Sequence, residues 1–217
     1  MRTITKTGIL LSILILPVLV FSFLKLFAKN HYDIPVFHAT DSVLVNGRYQ
    51  ISAARTFPFF SFINQDNKSF SSTTLKDRIF VVSFLQTTNQ DISPVVTTEL
   101  TRVQEAFADF PEVRIISFST DSSTAAVELL KQYSEAFRVD TSKWTFLHGT
   151  KDSIDSLAKH GFLLPVKEDE TISPSYLSTL ILVDKAGYTR GYYSGADRGE
   201  VDRLIREIQV LLHNYDN

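Results

Sequence analysis

The chain contains no cysteine at all, one methionine and one tryptophan in 217 residues. Without a thiol there is neither a soft thiolate ligand nor a thiol–disulfide cycle. The missing cysteine does not reveal the compartment, because an oxidising space permits disulfides without requiring them. A basic surplus is missing too. Lys and Arg number 22 against 24 Asp and Glu, a net charge of −2, so there is no electrostatic footprint for nucleic acid. The five histidines (His31, His38, His148, His160, His213) show no i, i+4 pairing, and each reads as a surface or satisfied core residue. No internal repeat or low-complexity segment is present. What remains is an ordinary globular composition, 44% hydrophobic, long enough for one anchor and one domain.

Three stretches follow in order. Residues 1–30 hold an uncharged apolar run, Gly8–Leu24, that extends past Lys25 through Leu26–Ala28. At ~1.5 Å per residue it nearly spans a bilayer core. Arg2 and Lys6 precede it and favour a cytoplasmic N-terminus, although Lys25 and Lys29 weaken that asymmetry. No small-x-small site follows the run, so one uncleaved transmembrane helix is expected over a cleaved signal peptide. Residues 31–56 have no clear period. Asn46-Gly47 would suit a small hairpin, and a simple tether is the alternative. Residues 57–217 form the domain.

Its organising stretch is Arg78–Pro94, RIFVVSFLQTTNQDISP. Ile79–Phe84 is apolar except for Ser83, too short for a helix, and reads as a buried central strand. Ser93-Pro94 suits an N-cap and first helical residue, opening a helix to about Asp109. The intervening loop would then lie at a sheet edge against the positive end of a helix dipole. Phe59–Ile63 and Lys68–Ser71 read as a hairpin around the polar Asn64–Asn67. Val113–Ser119 is a second strand, expected beside the first and parallel to it. A helix from Thr124 to Phe137 follows, then a strand at Trp144–Leu147. Thr150 caps a helix over Lys151–His160 that ends at Gly161, and Lys167–Ser175 is a polar excursion. A hairpin (Thr179–Val183, Tyr188–Tyr193) turns at Lys185-Ala186-Gly187, and an amphipathic helix spans Glu200–His213. Alternating strands and helices with a terminal hairpin and helix give an α/β fold, a thioredoxin-like three-layer sandwich preceded by the transmembrane helix.

FLQTTNQDISP resembles the active loop of the SCO/SenC family, membrane-anchored thioredoxin-like proteins that deliver copper to cytochrome c oxidase. That loop reads approximately F-x-x-T-x-C-P-D-[IV]-C-P. Phe84, Thr87, Asp91, Ile92 and Pro94 match it, whereas Asn89 and Ser93 stand at the two cysteine places and Gln90 at the first proline. Phe60–Phe70, Val113–Ser123, Lys143–Phe162 and Leu180–Gly195 also follow family order, so the resemblance runs from about Phe57 to His213. The family's histidine ligand lies eight residues before the aspartate of the LVDKAG-like turn, which here is Tyr176.

The resemblance implies a copper site at Asn89, Ser93 and Tyr176, with Thr87, Thr88, Asp91 and Asp121 nearby. Cu(I) is soft and gains little from amide, hydroxyl or phenol oxygen. The three positions therefore read as vestigial, with no metal, no cofactor and no catalytic residue. Asp91 and Asp121 could pair as carboxylates for acid–base work. The blander expectation has Asp121 capping a helix and Asp91 solvated in a turn. Ser93 has no partner base, so a serine nucleophile is not expected. Phe57, Phe59, Phe60 and Phe62, with Tyr188, Tyr192 and Tyr193, either pack the sheet or form an exposed aromatic patch for a partner.

The expected function is a non-enzymatic, membrane-anchored binding or assembly factor for respiratory oxidase biogenesis. It would act with an oxidase subunit or a copper-competent SCO paralogue, its domain on the periplasmic side of the cytoplasmic membrane. The alternative is a copper chaperone or electron-transfer protein with other ligands. A peroxide- or disulfide-active thioredoxin-fold enzyme is discarded, since it would lack its nucleophile.

Overall fold

A computed structural model describes residues 15–20, 22, 34, 42–45, 48–51, 56–121, 126–164 and 174–215. The chain separates into two compact units, Met1–Asp33 and Ile34–Asn217. In the first, residues 15–20 are helical. No helix among the described residues is long and apolar enough to cross a membrane. Most of the Gly8–Leu24 run expected to do so lies outside those residues.

The second unit opens with a hairpin. Strands β1 (Ser42–Val45) and β2 (Arg48–Ile51) pair antiparallel with Val45 opposite Arg48, so the structure takes the hairpin rather than a plain tether.

The main sheet has seven strands: β3 (Ser61–Asn64), β4 (Ser69–Ser71), β5 (Ile79–Leu85), β6 (Val113–Ser119), β7 (Trp144–His148), β8 (Thr179–Val183) and β9 (Thr189–Ser194), in the order β4-β3-β7-β6-β5-β8-β9. The pairs β5–β6 and β6–β7 are parallel, as a helical crossover requires, and the outer pairs are antiparallel. The helices are α1 (Ile92–Ala106), α2 (Ala126–Ala136), α3 (Lys151–Ser156), α4 (Pro174–Leu177) and α5 (Arg198–Tyr215). Thr150 caps α3 by accepting the Ser153 N–H at 3.3 Å, and the helix widens into a π-type turn over Leu157–Gly161.

All seven residues of β5 are buried. Alternation sends Ile79, Val81 and Leu85 into a core shared with α1, α2 and α5. It sends Phe80, Val82 and Phe84 into a second core with α3 and α4. A strand covered on both faces has no polar side to show, hence the near-continuous apolar run. Its one interruption is satisfied. The Ser83 and Ser117 hydroxyls lie 2.6 Å apart, and the Trp144 indole donates to Ser117 Oγ at 2.8 Å.

Two expectations change. Gln65, assigned to a polar turn, is 2% exposed. Its side-chain oxygen accepts the Phe146 N–H at 3.0 Å and so extends the short β3–β7 pairing by one step. Pro174 and Ser175, placed in a polar excursion, belong to α4; residues 165–173 lie outside those described.

The buried Ser83–Ser117–Trp144 network predicts unequal mutational costs. Ser117→Ala orphans the indole N–H and should cost about 1–3 kcal/mol. Ser83→Ala leaves that bond intact and should cost about 1 kcal/mol or less. Urea denaturation of the two variants checks the order, and a larger loss for Ser83→Ala would contradict it.

Candidate functional site

The carboxyl ends of β5, β6 and β7 lie on one edge of the sheet. Register places Leu85 beside Ser119 and Ser119 beside His148. Residues 86–91 lead from β5 into α1 there. Asn89 governs the turn: its side-chain oxygen accepts the N–H groups of Asp91, Ile92 and Ser93 at 3.1, 2.8 and 3.3 Å. These are the donors a helix start leaves unpaired. Ser93 is therefore not the N-cap expected for it. It sits inside the first turn, 1% exposed, and its hydroxyl accepts the Gln86 N–H at 3.1 Å, tying strand exit to helix start. Asp91 is exposed, and its side chain makes no capping bond. Asn89 takes the role because an amide oxygen on the loop reaches three donors at once.

Asp121 is buried, and residues 122–125, where the helix it was expected to cap would start, lie outside the described residues. One carboxylate oxygen accepts the Thr87 N–H at 2.8 Å and the Ser119 hydroxyl at 3.0 Å. The Asp121 N–H returns a bond to Ser119 Oγ at 3.1 Å. The carboxylate thus clamps the loop after β5 to the end of β6. Thr88 is exposed. The Thr87 hydroxyl is buried and has no hydrogen-bond partner among the described residues.

Tyr176 stands on α4, which packs against β5 and α1. It is 3% exposed, and its ring lies 4.6 Å from that of Phe84, near the end of β5. Its hydroxyl is buried without a partner among the described residues. Asn89 and Ser93 are thus joined directly, whereas Tyr176 reaches the same end of the sheet through Phe84 and no hydrogen bond links it to them. Burial, and secondarily the negative charge of Asp155, pushes its phenol far above the usual tyrosine range.

The set does not fit copper. The Asn89 oxygen is spent on three backbone donors, the Tyr176 phenol stays protonated, and neither is a soft donor. No group of three or more His, Cys, Asp or Glu able to hold a metal occurs among the described residues. His148 ends a strand on this edge, and its Nδ1 is buried without a partner among the described residues. The aromatic patch largely resolves into packing. Phe57 meets Phe80 edge-on at 4.9 Å, Phe62 meets Phe118 at 5.8 Å, and the Tyr192 hydroxyl donates to the Phe162 carbonyl. Only Phe59 of that group is strongly exposed, at 73%. It borders a cleft of about 710 Å³ with Phe62, His148 and His160.

A mixed sheet covered by helices on both faces, with its loop-to-helix junction at the ends of parallel strands, defines a thioredoxin-like α/β domain. The SCO1/SenC family model matches residues 48–213, and the chain belongs to that family as a divergent member without cysteine. The SCO1 protein homolog of Bacillus subtilis (strain 168) is 31% identical over 156 residues, covering 69% of this chain and 79% of that protein. The crystal structure of a SCO1/SenC family lipoprotein from Bacillus anthracis str. Ames superposes with a TM-score of 0.63 at 28% identity, covering 72% of this chain and 95% of that one. BsSco, described as a member of the Sco family of cytochrome c oxidase assembly proteins, gives 0.62 at 28% identity over 72% and 92%.

Two substitutions test this edge. Asn89→Ala removes the shared acceptor and should cost about 1–2 kcal/mol, whereas Asn89→Asp keeps it and should cost only a few tenths. Equal losses would deny Asn89 the capping role. Tyr176 carries a raised phenol value, so the unfolded chain ionises first. Its contribution is complete below about pH 10 and is lost as pH rises beyond that. Tyr176→Phe should hold or raise stability at pH 7, since it removes an unpaired buried hydroxyl, and should soften the alkaline loss. Denaturant titrations at pH 7 and pH 10.5 (approximately) read both effects.

Proposed function

We propose that this chain is a membrane-anchored SCO-like protein of respiratory oxidase biogenesis. It has given up the family's metal site and acts as a binding or assembly factor. The observation that carries this reading is the side chain of Asn89. At the place of the family's first cysteine it closes the start of α1 with three hydrogen bonds, a structural task in place of ligation. Copper, the cargo that the family name suggests, finds only neutral oxygen there. The chain is not an enzyme in this reading, and it holds no cofactor.

Its partner would be an oxidase subunit or a copper-competent SCO relative. The link to oxidase assembly rests on what is said of BsSco, and the link to a membrane partly on the Bacillus anthracis lipoprotein. Lipid attachment through cysteine is unavailable here. The apolar Gly8–Leu24 run supplies a transmembrane helix instead, with a cytoplasmic N-terminus and the domain on the periplasmic side.

Copper titration of the full chain in detergent tests the reading. The wild type should bind Cu(I) no better than a generic histidine-bearing protein. Asn89→Cys, Ser93→Cys and Tyr176→His together should create a stoichiometric site, because a thiolate at position 89 can also accept helix N–H groups. Each single change should do little. Tight wild-type binding would favour copper transfer through other ligands. Failure of the folded triple variant would show that the three positions do not converge. Fractionation should find the chain in the membrane at full length, and a soluble, shortened product would favour signal-peptide cleavage.

A further inference from the structure

The cleft beside Phe59 opens where two strands part. Ile63 of β3 pairs with His148 at the end of β7, and the next antiparallel step would set Ser61 opposite Thr150. Thr150 instead caps α3, and no backbone hydrogen bond joins it to Ser61. The other edge of β3 fixes which way the main chain of Ser61 points. The Ser72 N–H donates to the Phe60 carbonyl, and the Asn64 N–H donates to the Lys68 carbonyl. Residues 60, 62 and 64 therefore turn their backbone groups towards β4. Alternation along an antiparallel ladder sends the N–H and C=O of Ser61 the other way, beyond the end of β7. Ser61 is exposed, and it lines the cleft together with Thr150.

The walls around this backbone pair are largely apolar. Phe62 packs onto Gly149, where a Cβ would come within 2.4 Å of the ring, and Leu157 of the π-type turn also lines the cleft. Phe59 and Ile63 are exposed at 73% and 37%. Apolar side chains grouped in water beside a concave surface mark an interaction site, and a volume of about 710 Å³ lies in the range of ligand pockets. We propose that the cleft binds an extended peptide segment of a partner protein. One residue of that segment exchanges two main-chain hydrogen bonds with Ser61, and an apolar side chain of the segment rests against Phe59 and Phe62.

The chemistry of the backbone pair selects a peptide over other ligands. One N–H and one C=O on the same strand residue match a second extended residue, which makes both bonds at once. A carboxylate would use only the donor, a cation only the acceptor, and an acyl chain neither. His148 lines the cleft as well, and its Nδ1, buried without a partner among the described residues, offers the segment a further polar contact. Because α3 begins where β7 would continue, the ladder is limited to a single step. Affinity must then come mainly from the apolar contacts, and the backbone pair sets direction and register. The cleft lies on the β3 side of the edge that carries the 86–91 loop. It gives the assembly reading a second surface but does not depend on what position 89 binds.

The probe is a blocked, fluorescein-labelled heptapeptide of alternating threonine and valine with phenylalanine at its centre. Fluorescence anisotropy follows its titration with the full-length chain in lipid nanodiscs, and empty nanodiscs give the baseline. Saturable binding is expected, and a peptide with lysine at the centre should bind roughly tenfold more weakly. Ser61→Pro removes the N–H that the ladder with β4 does not use, so it should weaken binding roughly tenfold. Ser61→Ala keeps that N–H and should bind like the wild type, whereas Phe59→Ser should weaken binding roughly fivefold. N-methylation of the probe at successive positions should abolish binding at one and spare its neighbour, the alternation of a strand. That readout uses wild-type protein and stands even if Ser61→Pro fails to fold. No saturable binding up to about 1 mM overturns the proposal. Equal binding of the lysine-centred peptide overturns the apolar contact. Binding that ignores both Ser61→Pro and N-methylation overturns the main-chain pairing.

Discussion

A strand buried on both faces must sit inside a sheet that is itself covered twice, and β5 imposes that constraint on the whole domain. Its six apolar side chains divide between two cores, one roofed by α1, α2 and α5 and the other by α3 and α4. Each fully buried large side chain is worth about 1.5–3 kcal/mol, so no other register of this strand competes. A slip of one residue would carry Phe80, Val82 and Phe84 into space shaped for Ile79, Val81 and Leu85. The parallel placement of β6 and the antiparallel placement of β8 follow around it.

The same constraint creates the functional edge. Parallel strands end together, so the loops after β5, β6 and β7 meet without any long-range search. Asp121 then reaches Thr87, and Ser119 stands beside His148. Such an edge gathers loop residues whatever their chemistry, which is how a scaffold survives the loss of a site. In this chain the polar atoms at that edge largely hold backbone. Asn89 holds the start of α1, Ser93 holds Gln86, and Asp121 holds Thr87. The hydroxyls of Thr87 and Tyr176, without partners among the described residues, are the exceptions.

Much of this was legible in the sequence because it depended on local pattern. Apolar runs named β5, β6 and β8, Thr150 announced α3, and Asn46-Gly47 offered a hairpin there as one of two readings. The loop was legible as a place, through its family order, but its internal bonding was not. Ser93-Pro94 looks like a cap followed by a first helical residue, yet Asn89 is an equally good capping side chain three residues before the helix begins. Only the path of the backbone decides which oxygen faces the free donors. Asp121 and Gln65 escaped for another reason: each bonds the backbone of a strand or loop distant in sequence, 34 and 81 residues away. Short-range rules read Gln65 as a turn residue and Asp121 as a helix cap. The π-type turn over Leu157–Gly161 and the single turn of α4 both contribute side chains to the second core, which no local pattern announces.

Two buried carboxylates, Asp121 and Asp184, mark the two ends of the sheet, and their contrast separates site from scaffold. A buried charge is tolerated where it is hydrogen-bonded or paired. Among the described residues Asp121 accepts from a backbone N–H and a hydroxyl, both neutral donors. Asp184 has a guanidinium as well, which makes removal of either partner costly and fixes the local geometry. The ion pair of Asp184 with Arg190 thus lies at one end of the sheet, and hydrogen bonds to backbone hold the loop at the other. The two carboxylates thus do different work on one frame, a charged pair at one end of the sheet and a backbone clamp on the loop at the other.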